Sequence, residues 1–176
     1  DDFSQDNTKN IILNIKNKYP NKINLISLTR NVGPSEARDI GAKSSSAEIY
    51  VFADSDTVFL KNTFSSFKKT MNEYSADAVS GIYHPEPLNK GLAQTYKALF
   101  FYQQFSRHIV PFAYQTFNGQ IGAIKSRVYH LLGGYNKKIR WGMDYENEEF
   151  GRRILKKHRI YLDPGFQVKH NFPNFF

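Results

Sequence analysis

No cysteine occurs in the 176 residues. That excludes a disulfide framework and any thiolate metal site, and it is compatible with a reducing compartment. Long hydrophobic runs are missing as well. No apolar stretch approaches the ~20 residues that a bilayer-spanning helix needs, and no signal peptide opens the chain. Acidic residues are in the minority, 16 against 24 Lys and Arg, for a formal net charge of +8. Such a balance suits an anionic partner: nucleic acid, an acidic membrane surface or a phosphorylated small molecule. The basic residues are nevertheless dispersed (Lys68-Lys69, Lys137-Lys138, Arg152-Arg153, Lys156-Lys157) and form no long block. Solvated helix faces account for most of them. No helix-turn-helix, zinc-finger or RNP-type element is present, so nucleic acid is set aside as a partner.

Aromatic residues are abundant, with 15 Phe and 11 Tyr, so rings must line much of the core or of a binding cleft. The length fits one domain with a real core. Short β-branched or aromatic runs alternate with helical periods, which argues for an α/β fold: a mixed, mostly parallel sheet flanked by helices. Helices are expected after the caps at Asp6 to Thr8, from Gly33-Pro34 to about Ser46, from Asn62, and from Leu92 to near His108. Two more are expected near Ser126 to Leu132 and from about Tyr145 to Lys157. Strands are expected at Ile23–Leu28, Glu48–Ala53, Ala78–Tyr83, Arg159–Leu162 and Gln167–His170. The Glu48–Ala53 run is nearly all apolar, as strands buried on both faces of a parallel sheet are. Asp1-Asp2-Phe3-Ser4 reads as a loop after a strand, with no strand ahead of it. Residues 1–176 are therefore expected to be a single domain, truncated at its amino end.

Asp54-Ser55-Asp56 directly follows the apolar run. Ligands collect at the carboxyl ends of strands in open α/β sheets. Two carboxylates one residue apart at such an edge can hold a hard divalent cation, which in turn can bridge a diphosphate. Turns also favour Asp, so the pair alone is weak evidence.

Further elements stand in order along the chain: Asp1-Asp2-Phe3-Ser4-Gln5-Asp6-Asn7-Thr8, Asn31-Val32-Gly33, Ala37-Arg38-Asp39-Ile40-Gly41-Ala42 and Phe52-Ala53-Asp54-Ser55-Asp56. They are followed by Gly122-Ala123-Ile124-Lys125 before Gly133-Gly134-Tyr135, by Glu146-Asn147-Glu148-Glu149-Phe150-Gly151-Arg152-Arg153, and by Val168-Lys169-His170. Together they resemble family 2 glycosyltransferases with the GT-A (Rossmann-like) fold, over essentially the whole chain.

The resemblance implies a metal-dependent, inverting transfer of a sugar from a nucleotide-diphosphate sugar to a glycan or lipid-linked acceptor. It implies that Asp2, Arg38 and Asp54 bind the nucleotide and that Asp56 ligates Mn2+ or Mg2+. By analogy His170 completes the coordination, and imidazole suits manganese better than magnesium. Trp141, the only Trp, is expected to stack on the acceptor, with Tyr83, His84, Tyr114 and Phe117 as further candidates for the cleft. It also implies a cytoplasmic location with association at a membrane surface. Each residue has a plainer reading: Asp2 in an Asx-turn, Arg38 on a solvated helix face, His170 as an exposed bystander, Trp141 in a core.

One position departs from the family pattern. An inverting transfer needs a general base near the acceptor hydroxyl, and the family's Glu-Asp pair supplies it. Here the aligned residue is Asn147, which cannot accept a proton. Asp144, Glu146 or Glu148 is expected to substitute; a retaining reaction or a catalytically impaired nucleotide- or glycan-binding domain are the alternatives. Acids in the first turn of a helix also complement its dipole, which alone would explain the composition.

Overall fold

The computed structural model describes residues 1–139 and 145–173. They fall into two compact units, a smaller one of Asp1–Ser46 with Tyr135–Glu146 and a larger one of Ala47–Gly134 with the chain from Asn147 onward. Among the described residues no helix is long and apolar enough to cross a membrane.

In the smaller unit, helix α1 (Thr8–Lys18) starts where Asp6 Oδ1 accepts the Thr8 N–H at 3.0 Å. Its apolar residues do not enter a core: Ile11, Ile15 and Tyr19 are exposed, and no α1 residue is buried. Helix α2 (Pro34–Lys43) opens on Pro34 at its first turn, where the missing N–H has no helical partner to lose. The segment Ile23–Leu28, expected as a strand, is neither strand nor helix. Among the described residues its backbone bonds to Asp1, whose amino group donates to Ile26 O and whose carbonyl accepts from Leu28 N. One residue's two bonds do not make a ladder.

The larger unit is built on a six-stranded sheet ordered β1-β5-β3-β6-β2, with β4 also on β6. The strands are β1 (Ile49–Ala53), β2 (Thr57–Phe59), β3 (Ala78–Tyr83), β4 (Phe112–Ala113), β5 (Ile121–Lys125) and β6 (Ile160–His170). Among the described residues four of the five pairings are antiparallel, and only β3 with β6 is parallel. The expected mostly parallel sheet is therefore corrected. Continuous apolar runs report cover on both faces, not strand direction. Strands β3 and β5 are buried along nearly their whole length and yet pair antiparallel.

Helix α3 (Thr63–Glu73) covers one face, setting Phe67 and Met71 against Val79, Ile121, Ala123, Phe166 and Val168. The other face is aromatic: Phe52, Phe117, Tyr129 and Phe150 meet in edge-on and tilted ring contacts. These rings come from β1, from the loop before β5, from α5 (Ser126–Leu131) and from α6 (Tyr145–Leu155). Each fully buried ring contributes about 1.5–3 kcal/mol relative to an exposed one. Helix α4 (Leu92–Gln103) packs on β3.

The two carboxyl-terminal strands expected from the sequence are one strand, β6. Its register against β3 shifts between Ser80 and Ile82, and Pro164-Gly165 occupies the interruption. Asp163, almost fully buried, accepts hydrogen bonds there from Ser66 Oγ, Thr70 Oγ1 and Gly165 N. The break is thereby satisfied inside the strand rather than ending it.

Gly122 sits where the aromatic face allows nothing larger. A Cβ there would lie 2.3 Å from Asn118 O and 2.8 Å from the Phe117 ring. Gly122→Ala is expected to destabilise the larger unit by about 1–3 kcal/mol through overpacking, read as a lower urea midpoint. An unchanged midpoint would show that the loop before β5 yields freely.

Candidate active site

In the smaller unit Asp2 organises the Asn31–Gly33 loop. Its Oδ1 accepts the Val32 N–H at 2.7 Å and its Oδ2 accepts the Gly33 N–H at 2.9 Å. Gly33 has φ +84°, a conformation that favours glycine, so loop and carboxylate fix one another. A carboxylate offers about four lone-pair directions, so two remain for a ligand. Arg38 on α2 is not on a solvated face. Its Nη1 donates to Glu146 Oε1 at 3.0 Å, and its guanidinium stands 5.7 Å from the Tyr135 ring centre. Asp39, the next residue, is fully buried with Lys43 and Lys137 at 2.8 and 3.2 Å. Burial pushes its carboxyl up, but hydrogen bonds and charge from the two lysines outweigh this and hold it below the ordinary range. The sequence alone assigns Asp39 no role.

In the larger unit the turn after β1 presents Asp54 and Asp56. Asp54 N donates to Gln120 O, and Thr57 Oγ1 donates to Asp54 O. Thr57 faces His170 across the β2–β6 pairing, and Asn171 N donates to Asp56 O at 2.9 Å. That register brings His170 Nε2 to 3.3 Å from Asp56 Oδ2, with the imidazole largely covered and the carboxylate open to solvent. His170 Nδ1 is buried and has no hydrogen-bond partner among the described residues.

The imidazole packs against the rings of Tyr83 at 4.8 Å and Phe172 at 4.5 Å, which also meet each other edge-on. Tyr83 in turn donates its hydroxyl to Gln120 Oε1 at 2.6 Å. Gln120 thus ties the Asp54 backbone to the His170 surroundings. The sequence offered no signal for it beyond its place at the start of an apolar strand. Of the other cleft candidates, Phe117 is a core ring with no exposed surface. Tyr114 is half-buried, and burial pushes its phenol pKa up.

Helix α6 carries the acidic cluster. Glu146 and Asn147 are buried, whereas Glu148 is exposed with Arg152 Nη2 at 3.5 Å. Glu146 Oε2 has no hydrogen-bond partner among the described residues. Asp144 and Trp141 lie outside the described residues. Arg153 holds Glu149 through two bonds and donates to the carbonyls of Leu132 and Gly134. Gly133 and Gly134 have φ +77° and +73°, so the turn needs glycine and Arg153 clamps it to α6.

This is the GT-A architecture. GalNAc-T7, solved with UDP, GalNAc and Mn2+, superposes with a TM-score of 0.77 over 99% of this chain at 16% identity. The mannosyltransferase PcManGT from Pyrobaculum calidifontis, solved with GDP-Man and Mn2+, gives 0.73 over 99% at 18% identity. TarS from S. aureus gives 0.64 over 98% at 19% identity. The chain spans 37%, 47% and 30% of those three proteins respectively. Among curated protein sequences none matches. The sequence profile described as Glycosyl transferase family 2 matches residues 1–130, and the chain belongs to that family.

Two measurements check the buried ionic contacts. Arg38→Met leaves the Glu146 carboxylate buried without its cation, at a cost of about 3 kcal/mol. Arg38→Met with Glu146→Gln should recover part of that loss in urea unfolding, and additive losses would disprove the coupling. The Asp39 carboxyl, held low in the folded state, contributes stability that is complete at neutral pH. That contribution fades only as pH falls through its lowered value. Asp39→Asn should therefore unfold more easily at pH 7 and lose less stability on acidification, as thermal melts at pH 7 and pH 3 would report.

Proposed function

We propose that the chain is the catalytic domain of a metal-dependent hexosyltransferase. It moves a sugar, with inversion, from a nucleotide-diphosphate sugar to a glycan or lipid-linked acceptor. The observation that carries this reading is the meeting of Asp56 and His170, a carboxylate and an imidazole from distant parts of the sequence, at the turn after β1. As a donor set the pair fits a divalent cation, and the nitrogen ligand favours Mn2+ over Mg2+. The Mn2+ in the solved GalNAc-T7 and PcManGT, beside UDP and GDP-Man, supports the same assignment.

When bound, the ion would neutralise charge developing on the departing diphosphate. Asp56 and His170 would hold it. Among the described residues no group of three or more ligating side chains gathers, so phosphate oxygens and water would complete the shell. Asp54 would meet the ribose, and Asp2 would use its remaining lone pairs for the base or ribose while keeping the Asn31–Gly33 loop in place. Arg38 would act on the nucleotide side through Glu146 and the position of α2. The base that takes the acceptor proton is one of the carboxylates flanking Asn147, and Glu148 is the exposed one among those described. Trp141 would stack on the acceptor. The reaction is placed in the cytoplasm, with lipid-linked acceptors bringing the domain to a membrane surface.

Asn147 favours a second reading, a nucleotide- or glycan-binding domain without turnover. Transfer or donor hydrolysis by the protein would eliminate it.

Isothermal titration with UDP and with GDP, in Mn2+ and in EDTA, tests the proposal. Binding of one nucleotide is expected to weaken at least tenfold without metal. Asp56→Ala and His170→Ala should each weaken the Mn2+-supported binding by about 10–100-fold and leave the EDTA value unchanged. Binding indifferent to Mn2+ with both nucleotides would overturn the metal assignment.

A further inference from the structure

Helix α4 is amphipathic the wrong way round. It buries Gln94 and Ala98 and turns Leu92, Tyr96, Leu99 and Phe100 outward, with Leu92 93% and Tyr96 72% exposed. Those four positions recur at helical spacing and form one stripe. The inward side is firmly seated: Phe101 packs on Tyr83 and stacks on Phe172, and Lys97 lies over the Phe172 ring. The orientation is therefore fixed by packing. The segment that follows is held the same way, by Phe105 on Tyr114 and His108 stacked on Phe112 at 4.0 Å. It leaves Ile109 91% and Val110 58% exposed. Phe100 shares an open hollow with Gln103, Gln104 and Arg107, so the helix stripe runs into a cation.

Along the chain, the charge in and beside α4 is of one sign: between Glu86 and Ile109 no Asp or Glu occurs, whereas Lys90, Lys97 and Arg107 do. Lys90 and Arg107, which flank α4, are exposed. Glu86, the nearest acid before the helix, is ion-paired with Lys169. Apolar and aromatic residues projecting from a rigid helix, bordered by cations with no acid among them, match the interface of an anionic bilayer. Rings sit at headgroup depth there, and each Lys or Arg near the surface strengthens partition by about fivefold. A second copy fits less well. A symmetric contact would set Lys90 and Arg107 against their own like, with no carboxylate in the stretch to offset them.

We propose that α4 and the Ile109–Val110 segment form a docking surface for anionic lipid. The stripe enters the acyl boundary, and Lys90 and Arg107 meet lipid phosphates. This inference names a surface for the membrane association proposed above, and because its test needs no donor or metal, its failure leaves the transferase reading standing.

Co-sedimentation with vesicles of phosphatidylcholine alone, or with about 30% phosphatidylglycerol, provides the test. The chain should partition at least tenfold more strongly onto the anionic vesicles, and raising salt from about 50 to 500 mM should reverse most of that gain. Leu99→Gln with Phe100→Gln should lower partition about tenfold or more while thermal melting stays unchanged, since both side chains are exposed. Lys90→Glu with Arg107→Glu should remove the preference for anionic lipid, and it carries the test if the first variant melts early. Absence of partition, or partition unaltered by either variant, would overturn the proposal. So would a dimer seen by light scattering that Leu99→Gln with Phe100→Gln dissolves, which would assign the face to a second copy.

Discussion

Strand β6 is the member on which the larger unit depends, because three other strands pair with it. Its first half takes β4 along one edge, with Leu162 opposite Phe112. Its last residues take β2, and Ile160–Leu162 and Gln167–Val168 pair with β3. A strand with so many partners cannot slip by one residue without turning its buried set to the wrong face. Register is therefore fixed, and the placement of His170 beside Asp56 follows from it: Thr57 is opposite His170, and Asn171 ties down the Asp56 carbonyl. The interruption at Pro164-Gly165 could have ended β6. Asp163 prevents that by gathering the Gly165 N–H and two hydroxyls of α3, of which the buried Thr70 Oγ1 would otherwise be short of a partner.

What could be read from the sequence depended on the range of the interaction concerned. The cores of β1, β3, α3 and α5 were legible because apolar spacing is local. Pairing direction was not. Val79 and Ala123 are buried whichever way their strands run, so a run of apolar residues says only that both faces are covered. Strands β2 and β4 are three and two residues long, too short for any period to declare itself. The α4 stripe marks the helix without saying which way it faces. Leu92, Tyr96, Leu99 and Phe100 have the spacing of a core face, but spacing cannot say which side of a helix finds a partner. In the site, the closeness of Asp56 and His170 was legible only through resemblance. Gln120, which links Asp54 to Tyr83, belongs to no motif and was not legible at all.

Several motif residues proved to be fastened to the scaffold. Asp2 closes a glycine loop, Arg38 holds a buried carboxylate, and Arg153 clamps two left-handed glycines to α6. A motif preserves a position in a fold, and the chemistry expected there can be delivered at second hand. Arg38, with its guanidinium shared between Glu146 and the Tyr135 ring, is better suited to setting the position of α2 than to gripping phosphate directly. Asp2 differs, because a carboxylate that has accepted two N–H bonds can still accept more.

The same reasoning bears on Asn147. The position is buried, and a carboxylate there would need a cation or several donors to offset its lost hydration, whereas an amide needs only neutral hydrogen bonds. Its neighbours divide differently. Glu146 is also buried but has Arg38 to balance it, and Glu148 projects into solvent beside Arg152. A helix turn that places an amide inside, an ion pair beside it and a carboxylate outside keeps one acid accessible while relieving the interior of an uncompensated charge. On the transferase reading, exchanging the inward carboxylate for Asn147 moves proton acceptance along the helix to an outward neighbour. Acceptor geometry would then follow the exposed side of α6 rather than its buried one.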